Sequence, residues 1–362
     1  MDFDIEEIDR NNPAAVNEIA AFLKQEGISL DRNLDYTCAI RNDDGQVIAT
    51  GSSYGNTLRC LAVRSGCRGS GIINDVVSHL MEREYSLGIS HIFIYAKAVS
   101  AQYFQDLGFY PIAEVKPTFV FMENKRHGFN NYLRSLEHET RKAVISNHIY
   151  SHRHNDGHPD AIAAVILNAN PFTLGHQYLV ETAANHSRLL HLFIVSEDTS
   201  LIPFNVREYL VKEGTQHIKN IVYHNTGDYL ISSATFPGYF FKDQDDSIRN
   251  QAALDVEIFG KIAAELGITE RYLGEESTNA VTAAYNQVMD KRLPELGINV
   301  HIIPRLEISG ITVSASSVRD CISNGDWDTM RKLVPETTYS YFMHHKSRSG
   351  IIAAHCARLH TH

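Results

Sequence analysis

Two apolar patterns alternate along the chain. Short runs rich in Val, Ile, Leu and aromatic residues read as strands, and stretches whose apolar positions recur every three or four residues read as helices. In the first third a helix is predicted over residues 13–25 and strands over 36–41 and 47–54, joined at the turn Asp43-Asp44-Gly45. A strand over 58–63 leads into the glycine turn Arg68-Gly69-Ser70-Gly71, after which Ile72, Ile73, Val76, Val77, Leu80 and Met81 mark one face of a helix. A strand over 89–96 and a helix carrying Ala101, Tyr103, Phe104 and Leu107, stopped by Gly108, follow. A polar helical stretch spans about 124–147, with Phe129, Tyr132, Leu133 and Leu136 on one side. Beyond it, strands over 161–167, 191–195, 221–224, 271–273 and 300–303 alternate with helices opening near 174 and spanning 206–214, 251–266 and 280–291. Parallel strands joined by crossover helices make a doubly wound sheet, which binds ligands at the carboxyl ends of its strands.

The expected architecture is α/β: a first α/β domain over 1–124, a helical connector and linker over 125–158, a doubly wound, Rossmann-like domain over 159–345, and a loosely packed tail over 346–362. The loop holding His152, His154 and His158 reads as a solvated linker, because no helix or sheet there would fix metal ligands.

Composition narrows the function classes. At 362 residues and 43% hydrophobic, the chain can bury two cores. A net charge of −10 argues against a nucleic-acid binder, which needs clustered cations. Cys38, Cys60, Cys67, Cys321 and Cys356 are scattered and lack C-x-x-C spacing, so they read as reduced thiols of a cytoplasmic protein. The acidic start has no signal-peptide core and no run is long enough to span a bilayer, so no membrane association is expected.

The candidate chemistry begins after the strand over 161–167, at Asn168-Ala169-Asn170-Pro171-Phe172-Thr173-Leu174-Gly175-His176. Asn170-Pro171 supplies a turn, and Gly175 would let backbone approach a ligand. His176 falls in the first helical turn, where unpaired N–H groups and the helix dipole already favour phosphate. Leu174, Tyr178, Leu179, Thr182 and Ala183 form the face expected to pack on the sheet. A second, hydroxyl-rich motif, Val313-Ser314-Ala315-Ser316-Ser317-Val318-Arg319, places Ser314, Ser316 and Ser317 at a helix start and Arg319 about one turn in. These side chains suit the β- and γ-phosphates, and Arg319 suits a departing pyrophosphate. Plain helix capping is the ordinary use of Ser314 and Ser316.

Several resemblances follow from these residues. Arg68, Gly69, Ser70 and Gly71, with the later Ala101-Gln102-Tyr103-Phe104-Gln105-Asp106-Leu107-Gly108-Phe109, resemble the acyl-CoA-binding turn and following segment of the GNAT acetyltransferase superfamily. Thr173-Leu174-Gly175-His176 and the Ser/Arg motif resemble the H/T-x-G-H and I-S-S-T-x-x-R signatures of nucleotidyltransferases. With Thr173 in place of a first histidine, His176 alone supplies an imidazole. Together with residues 231–240, Gly274-Glu275-Glu276 and Thr282-Ala283-Ala284-Tyr285-Asn286, these motifs resemble the citrate lyase ligase family over roughly residues 5–342.

That resemblance implies a GNAT-like domain ahead of a nucleotidyltransferase domain. It also implies ATP-dependent acetylation, from acetate, of the prosthetic-group thiol on the citrate lyase acyl carrier subunit, through an acetyl adenylate. The prosthetic group is of dephospho-CoA type, and Arg68 to Gly71 would hold it. ATP would bind at Asn168, Asn170, Pro171, Phe172, Thr173, Gly175, His176, Gly274, Glu275, Ser314, Ser316, Ser317 and Arg319, bringing Mg2+ on its phosphates with no dedicated metal ligands. Catalysis would rest on His176, Arg319 and Lys242. Lys242 and Arg207 would orient carboxylate or phosphate, or are plain surface charges; Thr235 and Phe236 would line the acetate pocket or simply pack. The competing readings are an acetyl-CoA-dependent acetyltransferase with a nucleotide-sensing domain, and a cofactor adenylyltransferase.

Overall fold

The structure, a computed structural model, describes residues 4–146, 160–197, 201–230, 236–241, 244–275 and 280–344. Lys242, Thr235, Glu276, the histidine-rich loop and the tail lie outside the described residues. Internal contacts divide the chain into two units, residues 1–130 with 233–257, and residues 131–232 with 258–362. Residues 233–257, which a linear reading assigns to the second domain, thus group with the first. The physical reason is aromatic: Phe236 sits edge-on to Tyr95 at 5.7 Å and to Phe119 at 6.1 Å, and is buried.

The first unit is built on seven strands, β1 (Ile5–Glu7), β2 (Tyr36–Arg41), β3 (Val47–Tyr54), β4 (Thr57–Val63), β5 (Phe93–Lys97), β6 (Tyr110–Val115) and β7 (Phe119–Glu123), with helices α1 (Pro13–Gln25), α2 (Ile72–Ser86) and α3 (Ala101–Asp106). The sheet order is β1-β2-β3-β4-β5-β7-β6, and all pairs are antiparallel except β4 with β5. β4 and β5 pair only through Thr57 with Phe93 and Leu58 with Ile94. Beyond that point a bulge in β4, where Cys60 takes φ 52°, diverts the strand. The bulge faces Gly51, where a Cβ would come within 2.6 Å of Val76 and 2.8 Å of Leu61 and Leu80. A pocket of about 550 Å³ opens between Leu61–Val63 on β4 and Tyr95–Lys97 on β5. Strands β1, β6 and β7 are additions to the sequence-based expectation.

The second unit contains α4 (Gly128–Ser146) for most of its length, β8 (Ile162–Leu167), α5 (Leu174–Asn185), β9 (Leu189–Ile194), α6 (Phe204–Thr215) and β10 (Ile221–Asn225). After α7 (Gln244–Leu266), whose last turns belong here, come β11 (Glu270–Gly274), α8 (Ala280–Arg292), β12 (Asn299–Ile303), the short hairpin β13 (Glu307–Ile308) and β14 (Ile311–Thr312), α9 (Ala315–Asn324), α10 (Trp327–Leu333) and α11 (Glu336–His344). The five-stranded sheet runs β10-β9-β8-β11-β12 and is parallel throughout, as the alternating pattern predicts. From β8 the chain first moves outward through β9 and β10, then crosses to β11 and β12. The switch point therefore lies between β8 and β11, where parallel sheets open a crevice. The face of α5 that packs on the sheet is Leu179, Val180, Ala183 and Ala184, whereas Tyr178 is exposed. Among the described residues no helix is long and apolar enough to cross a membrane.

On one face of this sheet a polar chain runs inward from the half-exposed Glu139 to the buried His224 and His191. His224 Nδ1 meets Glu139 Oε2 at 2.8 Å, and His191 Nδ1 meets His224 Nε2 at 3.0 Å. Donation from His224 to the carboxylate leaves its Nε2 to accept from His191. The chain then ends on His191 Nε2, a buried nitrogen without a partner. Burial, and second the repulsion that protonating both rings would create with His224, holds His191 down to about 3, against an ordinary 6.5. Between these values the unfolded chain binds a proton that the folded one refuses. Stability present above pH 6.5 is thus lost as pH falls toward 3, by up to about 1.4 kcal/mol per pH unit. Replacing the ring by the non-titrating His191→Gln should flatten the fall of the thermal midpoint between pH 6.5 and 4 relative to the parent protein. Parallel pH profiles of the two proteins would contradict this account.

Candidate active site

The start of α5 is a reciprocal cap. Thr173 takes the extended conformation of an N-cap, and its Oγ1 accepts from the His176 backbone N–H at 3.3 Å. In return the Thr173 backbone N–H donates to His176 Nδ1 at 3.1 Å, so a histidine fills the place usually held by Glu or Gln. A nitrogen that accepts cannot carry the proton of a neutral imidazole, so the proton sits on Nε2. The ring also stacks on Phe172, with centroids 5.9 Å apart and planes 14° off parallel. Phe172 is itself fully buried against Gly214, where a Cβ would come within 2.5 Å of the ring. Burial first, and the charge of Arg305 second, push His176 down to about 4. At neutral pH it is therefore a neutral donor through Nε2–H.

The Ser/Arg motif forms a second helix start beside the first. Ser314 caps α9, its Oγ accepting from Ser317 N–H at 3.0 Å and meeting Ser317 Oγ at 2.7 Å and Ser316 Oγ at 3.0 Å. Arg319 Nη1 donates to the carbonyl of Asn170 at 2.7 Å, tying the two motifs together. A Cβ on Gly175 would stand 3.3 Å from the Val313 carbonyl. The glycine thus permits the start of α5 to lie against the approach to α9.

Both helix starts face one pocket of about 470 Å³ at the carboxyl ends of β8, β11 and β12. Its opposite wall carries Gly274, Glu275, Tyr285, Asn286 and Arg305. The Gly274 carbonyl accepts from Asn286 Nδ2 at 2.9 Å, and Glu275 N–H donates to the Ile303 carbonyl at 2.8 Å. Positive helix ends, a neutral imidazole donor and guanidinium groups converge here, which is a site for a polyanion.

Of the residues expected at a nucleotide site, Asn168, Thr173, Gly175, His176, Gly274, Glu275, Ser314, Ser316 and Arg319 line this pocket. Asn170, Pro171, Phe172 and Ser317 do not; they build its frame instead. Asn170 accepts from Arg319 through its carbonyl and from Ile202 N–H through Oδ1, while Pro171 and Phe172 are buried beneath the cap. Arg207 is neither a surface charge nor a ligand group. It is fully buried, and its guanidinium donates to the carbonyls of Asn168, Val195, Glu197 and Ile202, holding the loop after β8. Phe236 groups with the first unit and is not among the residues that line this pocket. Tyr285 and Asn286, from the motif over 282–286, also line the pocket; Arg305 is a lining residue outside every motif, and its cue is a place two residues past a strand end.

In the first unit, Arg68, Gly69 and Gly71 line the pocket beside β4, with Gly69 at φ 83° and Gly71 at φ 85°. Ser70 Oγ donates to the Cys67 carbonyl at 2.6 Å. Arg68 is paired: Glu26 Oε2 accepts from its Nη2 at 2.7 Å and from Ser65 Oγ at 3.0 Å, and Oε1 from Ser65 N–H at 3.2 Å. A carboxylate of the chain's own thus sits on the anion-binding side of this turn.

The reciprocal cap gives a direct test. Thr173→Val keeps the shape but removes the acceptor for His176 N–H, and should lower stability by about 1 kcal/mol in chemical denaturation. An unchanged denaturation midpoint would show that the cap is not formed.

Residues 162–342 match the family described as the citrate lyase ligase C-terminal domain. The chain is 36% identical over 329 residues to a citrate (pro-3S)-lyase ligase of Haemophilus influenzae, covering 89% of this chain and 93% of that one. It is 33% identical over 340 residues to the same-named protein of Escherichia coli, covering 92% of each. A solved GNAT-family acetyltransferase from Staphylococcus aureus is 19% identical, with 34% of this chain and 100% of that chain covered and a TM-score of 0.29. On relatives of this identity over about nine-tenths of its length, the chain belongs to the citrate lyase ligase family of enzymes.

Proposed function

We propose that the chain activates citrate lyase by acetylating the thiol of the prosthetic group on the lyase's acyl carrier subunit, using acetate and ATP. The observation that carries this reading is the convergence of the Thr173–His176 cap and the Ser314–Arg319 helix start on one pocket. Magnesium would arrive on the phosphates of ATP, where it would neutralise their charge without dedicated protein ligands.

In the first step an acetate oxygen forms a bond to the α-phosphorus as the bond to the β-phosphate bridge breaks, and pyrophosphate leaves with the electron pair. His176 donates through Nε2–H to the α-phosphate, whose charge is spread in the transition state. Because the ring is neutral it gives no proton away; it holds a fixed donor in place. Arg319 neutralises charge gathering on the pyrophosphate. In the second step the carrier thiolate attacks the acetyl carbon, the bond to the phosphate oxygen breaks, AMP departs, and the thiol proton passes to solvent. No protein nucleophile is needed, since orientation and electrostatics supply the acceleration. The pocket of the first unit, lined by Arg68, Gly69 and Gly71 with Ser70 in the turn between them, is assigned to the carrier's prosthetic arm.

With the full chain, pyrophosphate release from ATP should require acetate, and AMP should accumulate with thiol-form citrate lyase. His176→Ala should slow acetate-dependent pyrophosphate release by about a hundredfold or more. Arg68→Glu should spare that release and impair acetylation of the carrier. Acetylation by acetyl-CoA without ATP would instead favour an acetyltransferase, and pyrophosphate release with a nucleoside monophosphate in place of acetate would favour a cofactor adenylyltransferase.

A further inference from the structure

We infer that Arg305 is a phosphate-binding residue of the second unit's pocket, sharing the β- and γ-phosphates of the nucleotide with Arg319. The inference rests on the reading that ATP binds there. Three observations carry it.

The first is position. Arg305 follows the carboxyl end of β12 by two residues and lines the crevice at the switch point of the sheet, where loops after strands meet ligands. The second is orientation. Arg305 Nε donates to the Glu275 carbonyl at 3.1 Å, and Glu275 is itself pinned through its N–H to the Ile303 carbonyl at 2.8 Å. One anchored edge fixes the plane of a guanidinium, whose fork matches phosphate oxygens better than a lysine's point charge does. Arg319 has an equivalent anchor on the Asn170 carbonyl. Two arginines are thus held from different elements around one cavity. The third is electrostatic. Burial is the main reason that His176 stays neutral, and the positive charge of Arg305 adds to it, so the guanidinium stands near enough to act on the donor assigned to the α-phosphate. Among the described lining residues, Glu275 is the single carboxylate set against Arg271, Arg305 and Arg319. Arg271 is buried with its guanidinium over the Phe259 ring at 4.7 Å, whereas Arg305 and Arg319 are each anchored to a loop carbonyl on the pocket wall.

Calorimetric titration of the full chain with MgATP and with AMP, for the parent, Arg305→Met and Arg305→Lys, tests the assignment. Arg305→Met should weaken ATP binding by roughly tenfold to a hundredfold and AMP binding by less than about twofold, because AMP lacks the phosphates in question. Arg305→Lys keeps the charge but loses the fork, so it should weaken ATP binding by several-fold. The NMR titration midpoint of the His176 ring should rise in Arg305→Met and stay near the parent's in Arg305→Lys. ATP affinity within twofold of the parent in Arg305→Met, or equal losses for ATP and AMP, would overturn the role of Arg305 alone. A parent protein that does not bind ATP would overturn the nucleotide reading and this inference with it.

Discussion

The exchange of hydrogen bonds between Thr173 and His176 is the constraint from which the rest of the site follows. It ends β8's loop, starts α5, and fixes both the orientation and the tautomer of the one imidazole among the described residues of the pocket wall. A histidine in the capping position has its Nδ1 committed to the backbone, so the ring presents Nε2–H and nothing else. Burial against Phe172 and the field of Arg305 keep it neutral, which makes it a donor of fixed direction with no competing protonation near pH 7. A charged imidazolium would be a stronger donor but would require both nitrogens to donate, and the Thr173 N–H would then face a like donor.

Everything around the cap serves to bring a second helix start alongside it. Gly175 leaves room for the Val313 carbonyl, and Arg319 reaches back to Asn170, so the two motifs are held by direct backbone contacts. Arg207, buried beneath the loop, fixes the other side through four carbonyls. Such a buried cation is costly unless its donors are met, and here backbone oxygens meet them. The outcome is a rigid rim at the switch point of a parallel sheet, on which a triphosphate can be gripped from two helix ends.

The elements legible in the sequence were those whose cause is local. The cap spacing of Thr173 to His176 and of Ser314 to Ser317 spans three residues, and the periodicity of α5 or β8 spans a dozen or fewer. What depends on distant contacts was not legible. Gly175 lines the pocket, but the close approach it permits is to Val313, far along the chain, which no local pattern announces. Arg207 looks like any surface cation until its burial is known, and Arg305 has no motif, only a place after a strand. β7 is buried at every position and sits beside the proline-containing β6, so neither shows the alternation that marks a half-exposed strand. The return of residues 233–257 to the first unit depends on Phe236 meeting Tyr95 and Phe119, a pairing no local pattern announces.

The central claim is that His176 is a neutral, Nε2-protonated donor held by Thr173. Nitrogen-15 NMR of the histidine side chains, with His176 assigned by substitution, measures this directly. The account predicts an unprotonated Nδ1 and a protonated Nε2 at pH 7, with the ring titrating near 4. A proton on Nδ1, or a ring that is charged at neutral pH, would contradict it.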